Sequence, residues 1–278
     1  MKRKLKFLFK IFLLIAVTML CVLAGFKTRE KKAIVVTQFG QTSKDSNSGY
    51  LLESETGRLT MIDGGTKEDA ESVLNTIKQK GGFVEVWFIT VPHKENAGVL
   101  LEALEDKDIQ VGGIYLSLNN EDWYEKYETA EEKEFAMDFI ETLEEDDVRD
   151  KVHELNFRDE INIDNLFFKV LKVKHAEYTE NAGNNQSLVL KVSNNFKSMI
   201  FLGNLGEEYQ EAFINDNQDE IKADAVQVSY HGENTLNEKI YEFIKPTKYF
   251  WNTSEEITNY NREEENYFTT YSDITVEI

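Results

Sequence analysis

Two hydrophobic periods alternate along the chain. Ala33–Gln38 opens with a β-branched run. Tyr50–Glu53 and Arg58–Ile62 are short apolar stretches around Ser54-Glu55-Thr56-Gly57, a spacing that predicts a β-hairpin. Asp63-Gly64-Gly65 closes the second strand, and Thr66-Lys67-Glu68-Asp69 then starts a helix with a pattern like a capping box. Ala70, Val73, Leu74 and Ile77 keep helical spacing until Gly81-Gly82 stops it. Val84–Thr90 reads as a buried strand, Ala97–Leu104 as a helix and Ile114–Leu118 as a strand. Residues 121–150 are strongly acidic, yet Phe135, Phe139, Ile140 and Leu143 form a helical stripe, so the expectation is a solvated amphipathic helix packed on the body.

The second half repeats this grammar. Leu166–Val173, Ser187–Val192 and Ser198–Leu202 read as strands, with Asn194-Asn195 in the turn between the last two. A helix around Glu207–Ile214, a strand over Ala225–Ser229 and a helix through Ile240 and Phe243 to Pro246 follow. There is no low-complexity linker and no clear break. The simplest arrangement is one α/β domain over 33–278, built from two β-rich halves with helices attached to each.

Residues 1–32 differ in kind. Met1–Lys10 carries Lys2, Arg3, Lys4, Lys6 and Lys10, and Ile11–Phe26 is uncharged and apolar without helical periodicity. Sixteen residues at about 1.5 Å each span roughly 24 Å, between a signal-peptide core and a full membrane span. The segment reads as a signal anchor that leaves the positive flank in the cytoplasm and the body outside. Val22-Leu23-Ala24 offers an alternative cut before Gly25, which would secrete the domain. A single-pass bacterial membrane protein with an extracellular domain is the expected localisation.

Charge and cysteine narrow the function classes. The chain holds 31 basic and 51 acidic side chains, for a net charge of −20. Because the first 32 residues are basic, the body is more acidic still, and phosphate polyanions are repelled; no nucleic-acid partner is expected. A body this acidic favours cationic cell-surface or peptide partners, with the 121–150 segment as one surface for them. Cys21, the only cysteine, lies in the apolar run, so the body has neither a disulfide framework nor a cysteine zinc site.

Candidate chemistry collects where strands end in short polar segments. These are Asp63-Gly64-Gly65, Val91-Pro92-His93-Lys94-Glu95-Asn96, Gly203-Asn204 and Tyr230-His231-Gly232. No nucleophile elbow, P-loop or dinucleotide fingerprint occurs. The stretches SNSGYLLE, LTMIDGG, VWFITVPHKENAG, NNQSLVLKV, IFLGNLGEE, VQVSYHGEN and IKPTKYFW, in that order, resemble the metallo-β-lactamase fold. The likeness is to the single-domain bacterial hydrolases related to the catalytic module of the competence DNA-uptake protein.

That resemblance implies a four-layer αββα sandwich and a His-x-His-x-Asp-His metal motif, completed by a bridging Asp and a His-His-Gly turn. Here the positions read Val91, His93, Glu95 and Asn96, then Asn204, then Tyr230-His231. Val91 has no donor, and Asn96 and Asn204 offer only neutral oxygens. Two divalent ions bring about +4 and face Glu95 alone among the matched positions, so a two-metal hydrolytic centre is not expected. The expected function is a non-hydrolytic binding or scaffolding domain, with no cofactor. The alternative is a residual hydrolase of a small ester, amide or phosphodiester, using one zinc or manganese on His93, Glu95 and His231, with His175 as a substitute ligand. His175 would reach the rim carrying Asn204 if its strand and the next two are antiparallel. Asp63 has two readings, orienting a metal ligand through a hydrogen bond or capping the helix at Thr66. Asn185 and Tyr230 are expected to line the rim.

Overall fold

The computed structural model describes residues 33–41, 49–229, 239–252, 265–268 and 271–278. The expected export segment, Tyr230 and His231 lie outside the described residues. Among those residues no helix is long and apolar enough to cross a membrane. Residues Ile34–Ile278 pack as one unit.

The first sheet holds β1 (Val35–Gln38), β2 (Tyr50–Glu53), β3 (Leu59–Ile62), β4 (Phe83–Phe88), β5 (Gln110–Val111), β6 (Ile114–Leu116), β7 (Val152–Glu154) and the late strand β15 (Ile274–Glu277). Its order is β15-β1-β2-β3-β4-β6-β7, with β5 against β4. The hairpin predicted around Ser54–Gly57 is present: β2 and β3 pair antiparallel, with Tyr50 opposite Ile62. From β3 onward the neighbours are parallel. Each parallel step therefore needs a crossover, supplied first by α1 (Ala70–Gln79) and then by α2 (Lys94–Glu105).

The second sheet runs β14 (Glu265–Phe268), β13 (Lys248–Trp251), β12 (Ala225–Gln227), β11 (Ser198–Phe201), β10 (Val189–Ser193), β9 (Leu166–Lys172) and β8 (Glu160–Ile163). The β9, β10 and β11 strands are antiparallel, as expected. Outside it lie α6 (Gln210–Asn217) and α7 (Lys239–Ile244).

Strand alternation explains the layering. Val86 and Phe88 of β4 face the second sheet, whose Phe168, Leu190, Val192 and Phe201 meet them in the central core. Trp87 and the adjacent Ile89 point the other way, into a core shared with Val73 and Ile77 of α1, Val99 and Leu100 of α2 and, from the acidic segment, Phe139. Val189 and Ile200 pack outward against Phe213, Ile214, Ile240 and Ile244. The strands are apolar on both faces because both faces are covered. The result is two sheets between two helical layers.

Three local expectations are revised. Helix α2 begins at Lys94, three residues before its apolar stripe, with His93 as its N-cap. The 121–150 segment is not one helix but two, α3 (Glu121–Tyr127) and α4 (Ala130–Leu143). Thr129 breaks it: its Oγ1 accepts from the Glu132 N–H at 3.3 Å and starts α4 afresh. Lastly, Asp63 does not cap the helix at Thr66. The Thr66 N–H donates instead to Asp69 Oδ2 at 3.0 Å, which closes the capping box.

Helix α2 seats directly on the loop after β3. A Cβ on Gly98 would stand 2.7 Å from the Lys67 nitrogen and 2.9 Å from the Thr66 carbonyl carbon. Both neighbours are backbone, so nothing yields cheaply. Overpacking of this kind costs about 1–3 kcal/mol, against roughly 1 kcal/mol that alanine gains over glycine in a helix. Gly98→Ala is expected to lower the urea midpoint of unfolding without changing its slope.

Candidate functional site

Asp63 follows β3 directly, with φ at +53° in the left-handed region. Its Oδ1 accepts from the Thr90 N–H at 2.8 Å, and its Oδ2 accepts from Thr90 Oγ1 at 2.7 Å and Asn96 Nδ2 at 2.9 Å. The Trp87 indole donates to the Asp63 carbonyl at 2.9 Å. Burial lifts the Asp63 carboxyl to about 7 against the pull of these donors, and the Glu95 charge adds to the lift. Since β3 and β4 are parallel, both end at one edge, and Asp63 ties the two ends together.

The opposite sheet reaches the same edge. The Leu188 N–H donates to the Thr90 carbonyl at 2.8 Å. Ser187 Oγ accepts from the Asn204 N–H at 2.8 Å, and Asn204 Nδ2 donates to Asn184 Oδ1 at 3.1 Å. Asn185 ends the short helix α5 (Ala182–Asn185). It receives the Gly206 N–H on Oδ1 and donates through Nδ2 to the Glu180 carbonyl and Glu208. It is buried, and it fastens the loops that carry Asn204.

Val91 is 1% exposed. Asn96 is also buried; its Nδ2 serves Asp63 and its Oδ1 has no hydrogen-bond partner. His93 lies between acids. Its Nε2 is 2.9 Å from Glu128 Oε1, and its Nδ1 is 3.6 Å from Glu95 Oε1. The Glu128 side chain is only 5% exposed. It reaches inward because the chain breaks between α3 and α4, so the acidic segment is not solvated throughout. Gly183 covers the pair: a Cβ there would stand 1.8 Å from Glu128 Oε1 and 2.5 Å from His93 Nε2. Burial alone would drive the imidazole pKa down. The hydrogen bond to Glu128, then the one to Glu95, override it and hold His93 at about 10.

The structure thus brings His93 and Glu95 together and adds Glu132, which the sequence reading did not single out. Among the described residues, one ligand atom from each of His93, Glu95 and Glu132 lies within 4.8 Å of the others. His175 does reach the rim, where its backbone N–H donates to Gln186 Oε1 at 2.6 Å. It is not part of that cluster. Its ring stacks on Tyr178 at 4.4 Å, and Tyr178 stacks on Tyr209. These three rings line a separate cavity of about 210 Å³ with Phe157 and Phe213.

Lys172 is a second residue that the sequence did not flag. Its Nζ donates to the carbonyls of Asn185 at 2.7 Å and Ser187 at 3.1 Å. Burial pushes its ammonium down to about 7. A lysine ending an apolar strand was the available signal, since a buried cation there must find carbonyls.

No protein-family model and no curated protein matches the chain. Solved structures do. It is similar to the metallo-beta-lactamase fold protein YhfI from Bacillus subtilis, with a TM-score of 0.52 and 10% identity, over 88% of this chain and 100% of that one. Igni18, a metallo hydrolase from the archaeon Ignicoccus hospitalis, gives 0.51 and 12% over 88% and 99%. A diphosphatase from the PhnP family gives 0.52 and 10% over 88% and 98%. The chain has the metallo-β-lactamase fold.

The His93 pair sets a pH signature. A folded pKa near 10, above the ordinary value of 6.5, stabilises the fold fully below about pH 6.5 and loses that contribution as pH rises through 10. Urea unfolding at pH 6, 8 and 10 is expected to show the native state weakening along this series. In Glu128→Gln the decline is expected to be shallower, because the group that holds the proton is gone.

Proposed function

We propose that this is a non-hydrolytic domain of the metallo-β-lactamase fold, a binding or scaffolding module held outside the membrane by residues 1–32. The reading is carried by what stands at the positions where the resemblance puts ligands. Val91 has no donor atom. Asn96 and Asn204 are neutral, and their N–H groups are committed to Asp63 and Asn184. The residues present do not fit a two-metal centre. Asn96 Oδ1, a lone buried oxygen without a hydrogen-bond partner, cannot balance two divalent charges.

The bond from Asn96 to Asp63 supports the same reading. Asp63 receives an N–H from position 96, as a carboxylate behind a metal-bound imidazole would. The support is retained and the ligand is changed. An acidic outer domain suits cationic partners such as basic peptides or wall components, with salt-dependent affinity.

The runner-up, a one-metal hydrolase on His93, Glu95 and His231, is separated by activity. Full-length protein with added zinc or manganese is expected to leave a panel of esters, lactams and phosphodiesters untouched. Saturable turnover that disappears in His93→Gln would overturn the proposal. The combined variant V91H/N96H/N204D is expected to take up at least one zinc more than the parent chain by mass spectrometry. No extra zinc in a folded triple variant would show that these positions are not the ligand positions.

A further inference from the structure

The cavity of about 210 Å³ lies where helix α6 meets the loop after β9. Its helical side follows from spacing. Tyr209, Phe213, Asp216 and Asn217 recur at i, i+4, i+7 and i+8, one face of a helix that begins just after Tyr209. All four line the cavity. Phe213 and Leu171, both buried in the outer core, give it apolar wall. The loop contributes Tyr178, whose ring stacks on His175 at 4.4 Å and on Tyr209 at 3.7 Å. Phe157 adds a fifth ring and is 44% exposed, so this side opens to solvent. An apolar cavity of about 150 Å³ holds a benzene ring, which leaves room here for one ring with a short chain.

The polar groups of the wall decide what that chain carries. Each lysine and arginine there is already matched to oxygen. Lys172 Nζ donates to the carbonyls of Asn185 and Ser187. Lys174 Nζ lies 2.5 Å from Glu154 Oε1 and donates to the Leu118 carbonyl. Next to Phe157, Arg158 lies 2.8 Å from Glu220 Oε2 and donates to the Asp216 carbonyl at 2.8 Å. The unmatched groups are acceptors. The Asp216 carboxylate has neither a hydrogen bond nor an ion pair among the described residues. Asn217 is 1% exposed; its Nδ2 donates to the Leu171 and Phe213 carbonyls, and its Oδ1 has no hydrogen-bond partner among the described residues. A buried acceptor left without a donor is costly. The Asp216 charge also reaches the ring wall: burial, and after it this carboxylate, lift the Tyr178 phenol above its ordinary value.

We propose that this cavity binds a small aromatic amine, its ring among Tyr209, Phe213 and Phe157 and its ammonium on the Asp216 carboxylate. The ring buries apolar surface against aromatic walls, and the ammonium supplies the donors that the wall lacks. Aromatic faces attract a cation as well. An anionic chain would meet the Asp216 charge with no unmatched lysine or arginine to receive it. The site uses none of the strand-end positions compared with the metal motif. It goes beyond the non-hydrolytic reading and does not depend on it.

The test titrates the full-length chain at pH 7 with phenethylamine, benzyl alcohol and phenylacetate, followed by ligand-observed NMR. Phenethylamine is expected to bind best and phenylacetate worst. Asp216→Asn is expected to weaken phenethylamine about threefold to fivefold, the range of an exposed ion pair, and to leave benzyl alcohol unchanged. Asp219→Asn, outside the cavity, changes neither. Tyr209→Leu is expected to weaken both ligands about twofold to tenfold; if it does not fold by circular dichroism, the Asp216 pair decides alone. No binding of phenethylamine overturns the site. Binding that is indifferent to Asp216→Asn, or phenylacetate binding as tightly as phenethylamine, overturns the assignment to an amine.

Discussion

Asp63 accepts three hydrogen bonds through its side chain and one through its carbonyl, and all four donors belong to the end of β4 or the start of α2. The rim depends on this convergence. A carboxylate this deeply buried, on a residue at positive φ, is unfavourable on both counts, and the donors offset the cost by holding it in one orientation. Once it is fixed, Thr90 is fixed, and through the Thr90 carbonyl so is the approach of Leu188 from the other sheet. Two sheets that share an apolar core are thereby locked together at one edge by polar bonds.

Around this point two buried basic side chains each face oxygen atoms. His93 lies against Glu128 and Glu95, and Lys172 lies against the carbonyls of Asn185 and Ser187. His93 keeps its charge between carboxylates, whereas Lys172 faces only neutral carbonyls and burial pushes its ammonium down to about 7. Each also joins segments distant in sequence. Glu128 brings the acidic helices onto the start of α2, and Lys172 fastens the loop after α5 to β9. Rigidity at the rim therefore rests on electrostatics as much as on packing.

Much of the fold was legible in the sequence because it follows from period. The hairpin at Ser54–Gly57, the stripe of α1 and the strands apolar on both faces are read from residue spacing alone. What escaped has physical reasons. Strands β8 (Glu160–Ile163) and β15 (Ile274–Glu277) bury only one face, through Ile163 and Val276, and four residues of alternation are the shortest run that signals a strand. The start of α2 was hidden because its first turn is polar. The break at Thr129 was missed because a single cap residue inside an acidic run looks like any other polar position. The same miss concealed Glu128 and Glu132. Their role comes from a change of chain direction that no periodicity encodes. His93, Glu95, Asp63 and Asn185 could be singled out because they flank strand ends or match a motif. Lys172 left one signal, its place at the end of an apolar strand.

The pairing of β1 with β15 bears on how the domain comes to be. Val35–Gln38 lies between β2 and Ile274–Glu277, with Thr37 Oγ1 2.9 Å from Thr275 Oγ1 across 238 residues of sequence. During synthesis, then, one of the first strands made waits for one of the last. Until Ile274–Glu277 emerges, one border of the first sheet presents bare backbone N–H and C=O groups to whatever strand is near. Loop closure over such a separation is slow. The border beside β1 is therefore among the last parts of the first sheet that can close.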